Sequence, residues 1–176
     1  MGVEPFRAVV GHVGVRRERA GAVVPAVPLD ARSFESVFAE YRLPMVRLAH
    51  VIVGSNEVAE DVVQEAFVRL HRRWTDVQNP PGFLRTVVTN LCRTEIRRSR
   101  LASRRSSPTV DSVSNPELDE TWAAVCGLPF RQRAVLALRY YLDLPEAEIA
   151  QILDCRLGTV KSAHHRGIAR LREELS

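Results

Sequence analysis

The amino-acid sequence predicts an all-α protein made of two small helical domains joined by a flexible linker, and three observations carry that expectation. Apolar residues recur three and four positions apart from Ser33 to about Leu101, and again beyond Thr121, a spacing that gives a helix one buried face. No alternation of apolar and polar residues runs long enough for a strand. Between the two periodic blocks, "ASRRSSPTVDSVSNPELD" over 102–119 has no periodicity and is rich in Ser, Pro and acid. The 176 residues suffice for one domain or two small ones. The expected boundaries are 1–30 for a disordered extension, 31–102 for the first domain, 103–120 for the linker and 121–176 for the second domain.

The first helix is expected to start at an N-cap, Ser33, and to place Phe34, Val37, Phe38, Tyr41, Leu48 and Ile52 near one face, with Pro44 as a kink or break. Gly54 stops it, and Ser55 or Asn56 caps the next. In that second helix Val58, Val62, Ala66 and Leu70 form an apolar stripe, while Glu57, Glu60, Asp61 and Gln64 line a separate polar one. "TDVQNPPG" reads as a loop, with Pro81 in the first turn of the helix that follows. That third helix buries Leu84, Val87, Val88 and Leu91 and turns Thr86, Asn90, Arg93, Arg97 and Arg100 the other way. Past the linker come a short segment over Thr121–Cys126, a helix from about Pro129 to Leu142, and a final helix pair.

Charge and cysteine usage narrow the function classes. Residues 31–105 carry 13 Arg against 8 acids, 106–120 carry no base against 4 acids, and 121–176 carry 8 bases against 6 acids. Two basic blocks around an acidic spacer suit a polyanion touched in two places. Cys92, Cys126 and Cys155 form no CxxC pair and no metal-ligand spacing with the five histidines. Reduced thiols in a cytoplasmic protein are expected, with no catalytic residue, no metal and no cofactor. No apolar run approaches the roughly 20 residues of a membrane span, and the "RRER" run at Arg16–Arg19 lacks the apolar core of a signal peptide.

The final pair, "LPEAEIAQILDCRLGTVKSAHHRGIARLR", carries the sharpest functional reading. Its first helix, Pro145–Leu153, turns Ile149, Ile152 and Leu153 inward, keeps Ala150 small at a crossing, and ends in a turn where Asp154 tolerates a left-handed conformation. In its second helix Leu157, Val160, His164, Ile168 and Leu171 share the inner side, and Thr159, Ser162, His165, Arg166 and Ala169 share the outer one. A short, polar, cationic outer face suits the major groove of DNA. A solvated hairpin with basic residues complementing the helix dipole remains the alternative.

Two stretches together resemble one family. "AEDVVQEAFVRLHRRW" with "PPGFLRTVVTNLCRTEIRR" is similar to region 2 of bacterial sigma-70-type factors, and "LPFRQRAVLALRYYLDLPEAEIAQILDCRLGTVKSAHHRGIARLR" is similar to region 4. The short linker between them resembles the extracytoplasmic-function (ECF) group. The resemblance implies an alternative sigma factor that binds core RNA polymerase through the β′ clamp helices and β flap, recognises −10 and −35 promoter elements, assists melting, and answers to an anti-sigma factor. It places the polymerase contact on Glu60, Asp61, Gln64 and Glu65, where carboxylates suit a basic partner. It places −10 reading and melting on Gln78, Asn79, Arg85, Asn90, Arg93, Arg97 and Arg98, a cationic cradle for an unstacked strand. The −35 reader becomes Arg156, Thr159, Lys161, Ser162, His165 and Arg166. Trp74 and Phe83 flank the −10 loop and are expected to be core rather than stacking platforms.

The sequence also departs from the family pattern. Ala163 and His164 stand where Arg and Leu are usual, which removes one cation from the reading helix; Pro145, Asp154 and Phe83 replace a common Ser, Gly and Trp. A free-standing helix-turn-helix regulator and a sigma-like interaction module are the rival readings.

Overall fold

Residues 33–103 and 116–175 are described by the computed structural model of the chain, and the expected extension over 1–30 lies outside them, as does most of the expected linker. Among the described residues the chain forms α1 (Phe34–Val53), α2 (Asn56–Arg72), α3 (Pro80–Ser103), α4 (Pro116–Gly127), α5 (Phe130–Tyr140), α6 (Glu146–Ile152) and α7 (Leu157–Glu174), and no strand.

Local chemistry sets the ends of the first three helices. The Ser33 hydroxyl accepts from the Ser36 N–H at 3.2 Å, and the Ser55 hydroxyl from the Val58 N–H at 3.4 Å, so each satisfies a donor that the first turn leaves free. Gly54 ends α1 with φ at 84°, and its N–H returns to the His50 carbonyl at 2.8 Å. Asn79 starts α3 by accepting the Gly82 N–H at 3.1 Å. Pro44, expected to kink or break α1, lies inside one continuous helix. A proline removes one helical hydrogen bond, but Met45, Val46, Leu48, Ala49, Val51 and Ile52 beyond it are all buried, and their packing carries the helix through.

Of the faces expected to be buried in the first half, Val37, Leu48, Ile52, Val62, Ala66, Leu70, Leu84 and Val88 lie in the core, while Phe34, Tyr41, Val58, Val87 and Leu91 are half-buried against it. Phe38 is the exception: it stays 40% exposed, stacked on Phe34 and edge-on to Phe67, because it sits at the rim of an aromatic cluster. Trp74 packs edge-on to Phe34 in the same cluster, and Phe83 rests against the core, so both aromatics are structural in this fold.

In the second half, α4 begins at Pro116, inside the segment expected to be linker. Six successive residues of α5, Arg133–Leu138, are buried. A helix buried all round has packing on every side: α7 covers one face of α5 and α1 of the first half covers another. Gly167 lets α7 approach closely, since a Cβ there would lie 3.1 Å from Leu136 Cδ1. Pro145 is the N-cap of α6, one position before the first helical residue. Asp154 takes the expected left-handed turn at φ 46°, and Asp143 does the same at φ 51°. Leu157, expected on the inner side of α7, is 43% exposed, because the buried stripe starts only at Val160. The buried residues of both halves form a single core cluster.

Candidate nucleic-acid and partner-docking surfaces

On α7, Arg156, Lys161, His165 and Arg166 are exposed, and Thr159 and Ser162 half-buried between them. The Ser162 hydroxyl donates to the Thr159 carbonyl at 3.1 Å and accepts from Arg166 Nη2 at 3.2 Å, while Arg166 Nε donates to the Ser162 carbonyl. Arg166 is thereby held flat along the helix, whereas Arg156 and Lys161 extend the face outward. Behind it, the Tyr140 hydroxyl and His164 Nε2 share a hydrogen bond of 2.8 Å, so the histidine is an interface residue between α5 and α7. Burial pushes the His164 imidazole below its usual range, with Arg139 and His165 adding to the shift and Glu146 opposing it. Ala163 is only 3% exposed. The position where a cation was expected to be missing therefore faces the packing, and the outer face of α7 loses no charge there.

On α3, Asn90, Arg93, Arg97 and Arg98 fall at helical spacing on one exposed side. Arg98 is shared with Glu95 at 2.8 Å. Arg85 is only 22% exposed and is ion-paired with Glu148 of α6, in the other half of the molecule. Gln78 and Asn79 are exposed in the preceding loop, but the Asn79 side-chain oxygen is committed to its cap. A cleft of ≈ 220 Å³ opens where Asn90 and Arg93 meet Phe130, Arg131 and Leu153.

On α2, Asp61, Gln64 and Glu65 are exposed. Glu65 pairs with Arg69 at 2.8 Å, and Glu60 with Arg42 of α1 at 3.3 Å. Val68, three to four residues beyond Gln64 and Glu65, is 43% exposed and adds an apolar contact to this acidic stripe. The i, i+3 and i+4 spacing could have found it.

Sequence reasoning missed Arg133. It reads as one more surface arginine in "FRQRAVLALRYY", yet it is 5% exposed and bonded to three carbonyls from two helix ends. Its only sequence cue is its place at the head of a continuous apolar run. The three cysteines are free thiols; burial pushes Cys92 up to about 12 and also raises Cys126. Among the described residues no group of three or more His, Cys, Asp or Glu could hold a metal ion, and no helix is long and apolar enough to cross a membrane.

Residues 37–102 match the family described as Sigma-70 region 2, and residues 118–171 match Sigma-70, region 4. The chain is 32% identical over 156 residues to an RNA polymerase sigma-E factor of Streptomyces avermitilis, covering 83% of this chain and 87% of the relative. It is 28% identical to the ECF RNA polymerase sigma factor SigW of Bacillus subtilis, covering 83% and 90%. Its fold is similar to that of the sigma factor RpoE in complex with the anti-sigma factor NepR from Bartonella quintana, with a TM-score of 0.68 at 22% identity over 81% of this chain and 96% of that one. It also resembles CnrH in complex with the cytosolic domain of CnrY, with a TM-score of 0.63 at 18% identity over 97% of each chain.

Proposed function

This chain belongs to the sigma-70 family of RNA polymerase sigma factors, in the extracytoplasmic-function group, and from that premise we propose which of its surfaces does what. The outer face of α7, with Arg156, Thr159, Lys161, Ser162, His165 and Arg166, reads the −35 element in the major groove. Arginine offers two donors to guanine, and Thr and Ser beside a helix start hold phosphate. The face of α3, with Asn90, Arg93, Arg97 and Arg98, cradles the −10 strand as it leaves the duplex, and Gln78 and Asn79 offer amides to an unstacked base. Unstacking costs a few kcal/mol, which cationic contacts to the exposed strand offset. Arg85 joins this surface when it is free of Glu148.

Asp61, Gln64 and Glu65, with Val68 at their edge, dock on a basic helical surface of core polymerase. Carboxylates around an apolar contact suit a protein partner and repel DNA. The observation that carries the reading is the presence of two outward cationic helix faces, on α3 and α7, beside one acidic face on α2. The second domain rests on the β flap, and RNA synthesis stays with the polymerase, so the chain supplies no catalytic residue. It acts in the cytoplasm. One solved neighbour is a sigma factor in complex with an anti-sigma factor, which supports an anti-sigma factor that covers these same surfaces here.

Transcription by core polymerase with this chain, on a library of GC-rich genomic fragments, tests the proposal. Start sites sharing two motifs at a fixed spacing are expected, and absence of polymerase binding would overturn it. The double variant Asn90→Ala, Arg97→Ala should lose promoter opening while still binding polymerase; an interaction module without promoter function would be indifferent to it.

A further inference from the structure

We propose that the hydrogen bond between Tyr140 and His164 sets the rotation of α7 on α5, which makes both of them positioning residues for −35 recognition. This role rests on the reading of α7 as the −35 helix given above.

The bond is directional in a crossing built of small and apolar residues. Tyr140 ends α5, and His164 lies midway along α7. Their polar atoms meet at 2.8 Å, and their rings are tilted by 30° with centroids 5.7 Å apart. Beside this pair Ala163 is buried, and Gly167, one turn on, lies so close to α5 that a Cβ would fall 3.1 Å from Leu136 Cδ1 and 3.4 Å from Gln132 Cβ. Small residues fix how near two helices come, but they offer little that resists turning. Val160, Ile168 and Leu171 complete the seat with apolar contacts, which are non-directional and tolerate a small rotation. A hydrogen bond weakens steeply as its angle closes, so the Tyr140–His164 pair holds α7 at one rotation. Leucine, the usual residue at 164 in the family pattern, would fill the space without fixing an angle. Burial keeps the His164 imidazole below its usual range, with Glu146 of α6 opposing the shift and Arg139 and His165 adding to it. At pH 7.5 the ring is therefore neutral and offers the hydroxyl one donor and one acceptor nitrogen.

The reading face lies across the helix from this bond. At about 100° per residue, Ser162 and Arg166 stand about 160° and 200° round from His164. A turn of about 15° carries an atom about 6 Å from the axis through about 1.5 Å. That exceeds the hydrogen-bond window of about 2.7–3.2 Å. Base contacts specify sequence and phosphate contacts do not. Such a turn therefore changes which base pairs are preferred, while Arg156 and Lys161 keep their general attraction for the DNA backbone.

Core polymerase with this chain, transcribing the GC-rich genomic fragments at pH 7.5, tests the role through four variants. These are Tyr140→Phe, His164→Leu, the two combined, and His164→Gln, whose amide can still bond the hydroxyl. Tyr140→Phe and His164→Leu should each lower the preference for the native −35 motif over its single-base changes about three- to tenfold. The combined variant should do no worse than either alone, because both remove the same bond. Its −10 motif, its binding of mixed-sequence duplex DNA and its thermal midpoint should match the native chain, since replacing both partners by apolar groups is nearly neutral for stability. His164→Gln should restore the native preference. A native −35 preference in Tyr140→Phe would overturn the role, and so would additive losses in the combined variant. Earlier melting with an equal loss of binding to all DNA would also overturn it, since that marks a clamp that only holds the fold. If the native chain itself yields a −10 motif but none at −35, the reading of α7 has failed, and the positioning role falls with it.

Discussion

The two cationic faces differ in how far the protein itself has already used their charge. On α7, Arg156, Lys161 and His165 stand exposed, and Arg166 bonds only to Ser162 of its own helix. On α3, Arg85 is taken by Glu148 and Arg98 by Glu95. A basic residue serves DNA only to the extent that no carboxylate of the same chain holds it first. The α7 face is ready-made, whereas the α3 face is conditional on what the rest of the molecule does. Arg133 lies at the far end of this scale, buried and wholly internal.

The largest effect should come from that internal cation. Arg133→Ala leaves three carbonyls without their donor, at about 1–3 kcal/mol each where they are buried, so a loss of about 3 kcal/mol or more is expected. At about 2–4 °C per kcal/mol for a chain of this size, the thermal midpoint should drop by roughly 6–12 °C. Arg156→Ala, on the exposed face, should stay within about 0.5 kcal/mol. Equal melts for the two variants would break the distinction between internal and outward cations.

Next in size is the contrast between the faces in DNA binding. Lys161→Ala removes a cation that no carboxylate holds, and should weaken promoter binding roughly five- to tenfold and lower the salt slope by about 1. Arg98→Ala should cost less, because Glu95 already neutralises part of that charge. Binding measured across a salt series checks both. A larger loss for Arg98 would mean that its pairing with Glu95 does not persist on DNA.

What could be read from the sequence divides along the same line between local and long-range causes. The cap at Ser33, the cap at Ser55 (expected there or at Asn56), the helix stop at Gly54 and the turn at Asp154 depend on neighbours a few residues away, and local chemistry pointed to each. The faces of α3 and α7 followed from helical spacing, and even His164 was placed on the inner side, though its partner Tyr140 was not foreseen. Of the two outcomes expected at Pro44, a kink or a break, the break does not occur, because packing against α2 and α3 carries the helix on past the proline. Arg133 and the Arg85–Glu148 pair join residues far apart in the chain, where periodicity carries no information. Of the candidate surfaces, the residue types were legible; which of them the fold would occupy was not.

The pH dependence separates the halves more finely. Burial lowers the His50 imidazole below its usual 6.5, and burial foremost lowers His164 as well. In both cases the unfolded chain takes up its proton first as pH falls. Stability is therefore full above about 6.5, declines as pH falls toward the lowered values, and levels off beneath them. Melts at pH 7.5 and 5.0 should show a drop smaller than that of Arg133→Ala. His164→Leu should remove the α7 share and His50→Leu the share at the junction of the halves. A midpoint that rises on acidification would show that cation–π attraction from Trp122 outweighs the burial of His50.

The smallest effect on stability should belong to the acidic face, and its smallness is what makes it informative. Glu65 and Arg69 are both about half exposed, and an i, i+4 pair of this kind contributes about 0.3–0.5 kcal/mol. Glu65→Ala should leave the melt unchanged within about 0.5 kcal/mol, since α2 packs chiefly on α1 and α3 through its other faces. Affinity for core polymerase should nevertheless fall several-fold, because a carboxylate that contributes little in water contributes more once a basic partner excludes solvent around it. If polymerase binding is unaffected, the acidic stripe is only a solvated face, and docking must rest on Val68 and the aromatic rim around Phe38 instead.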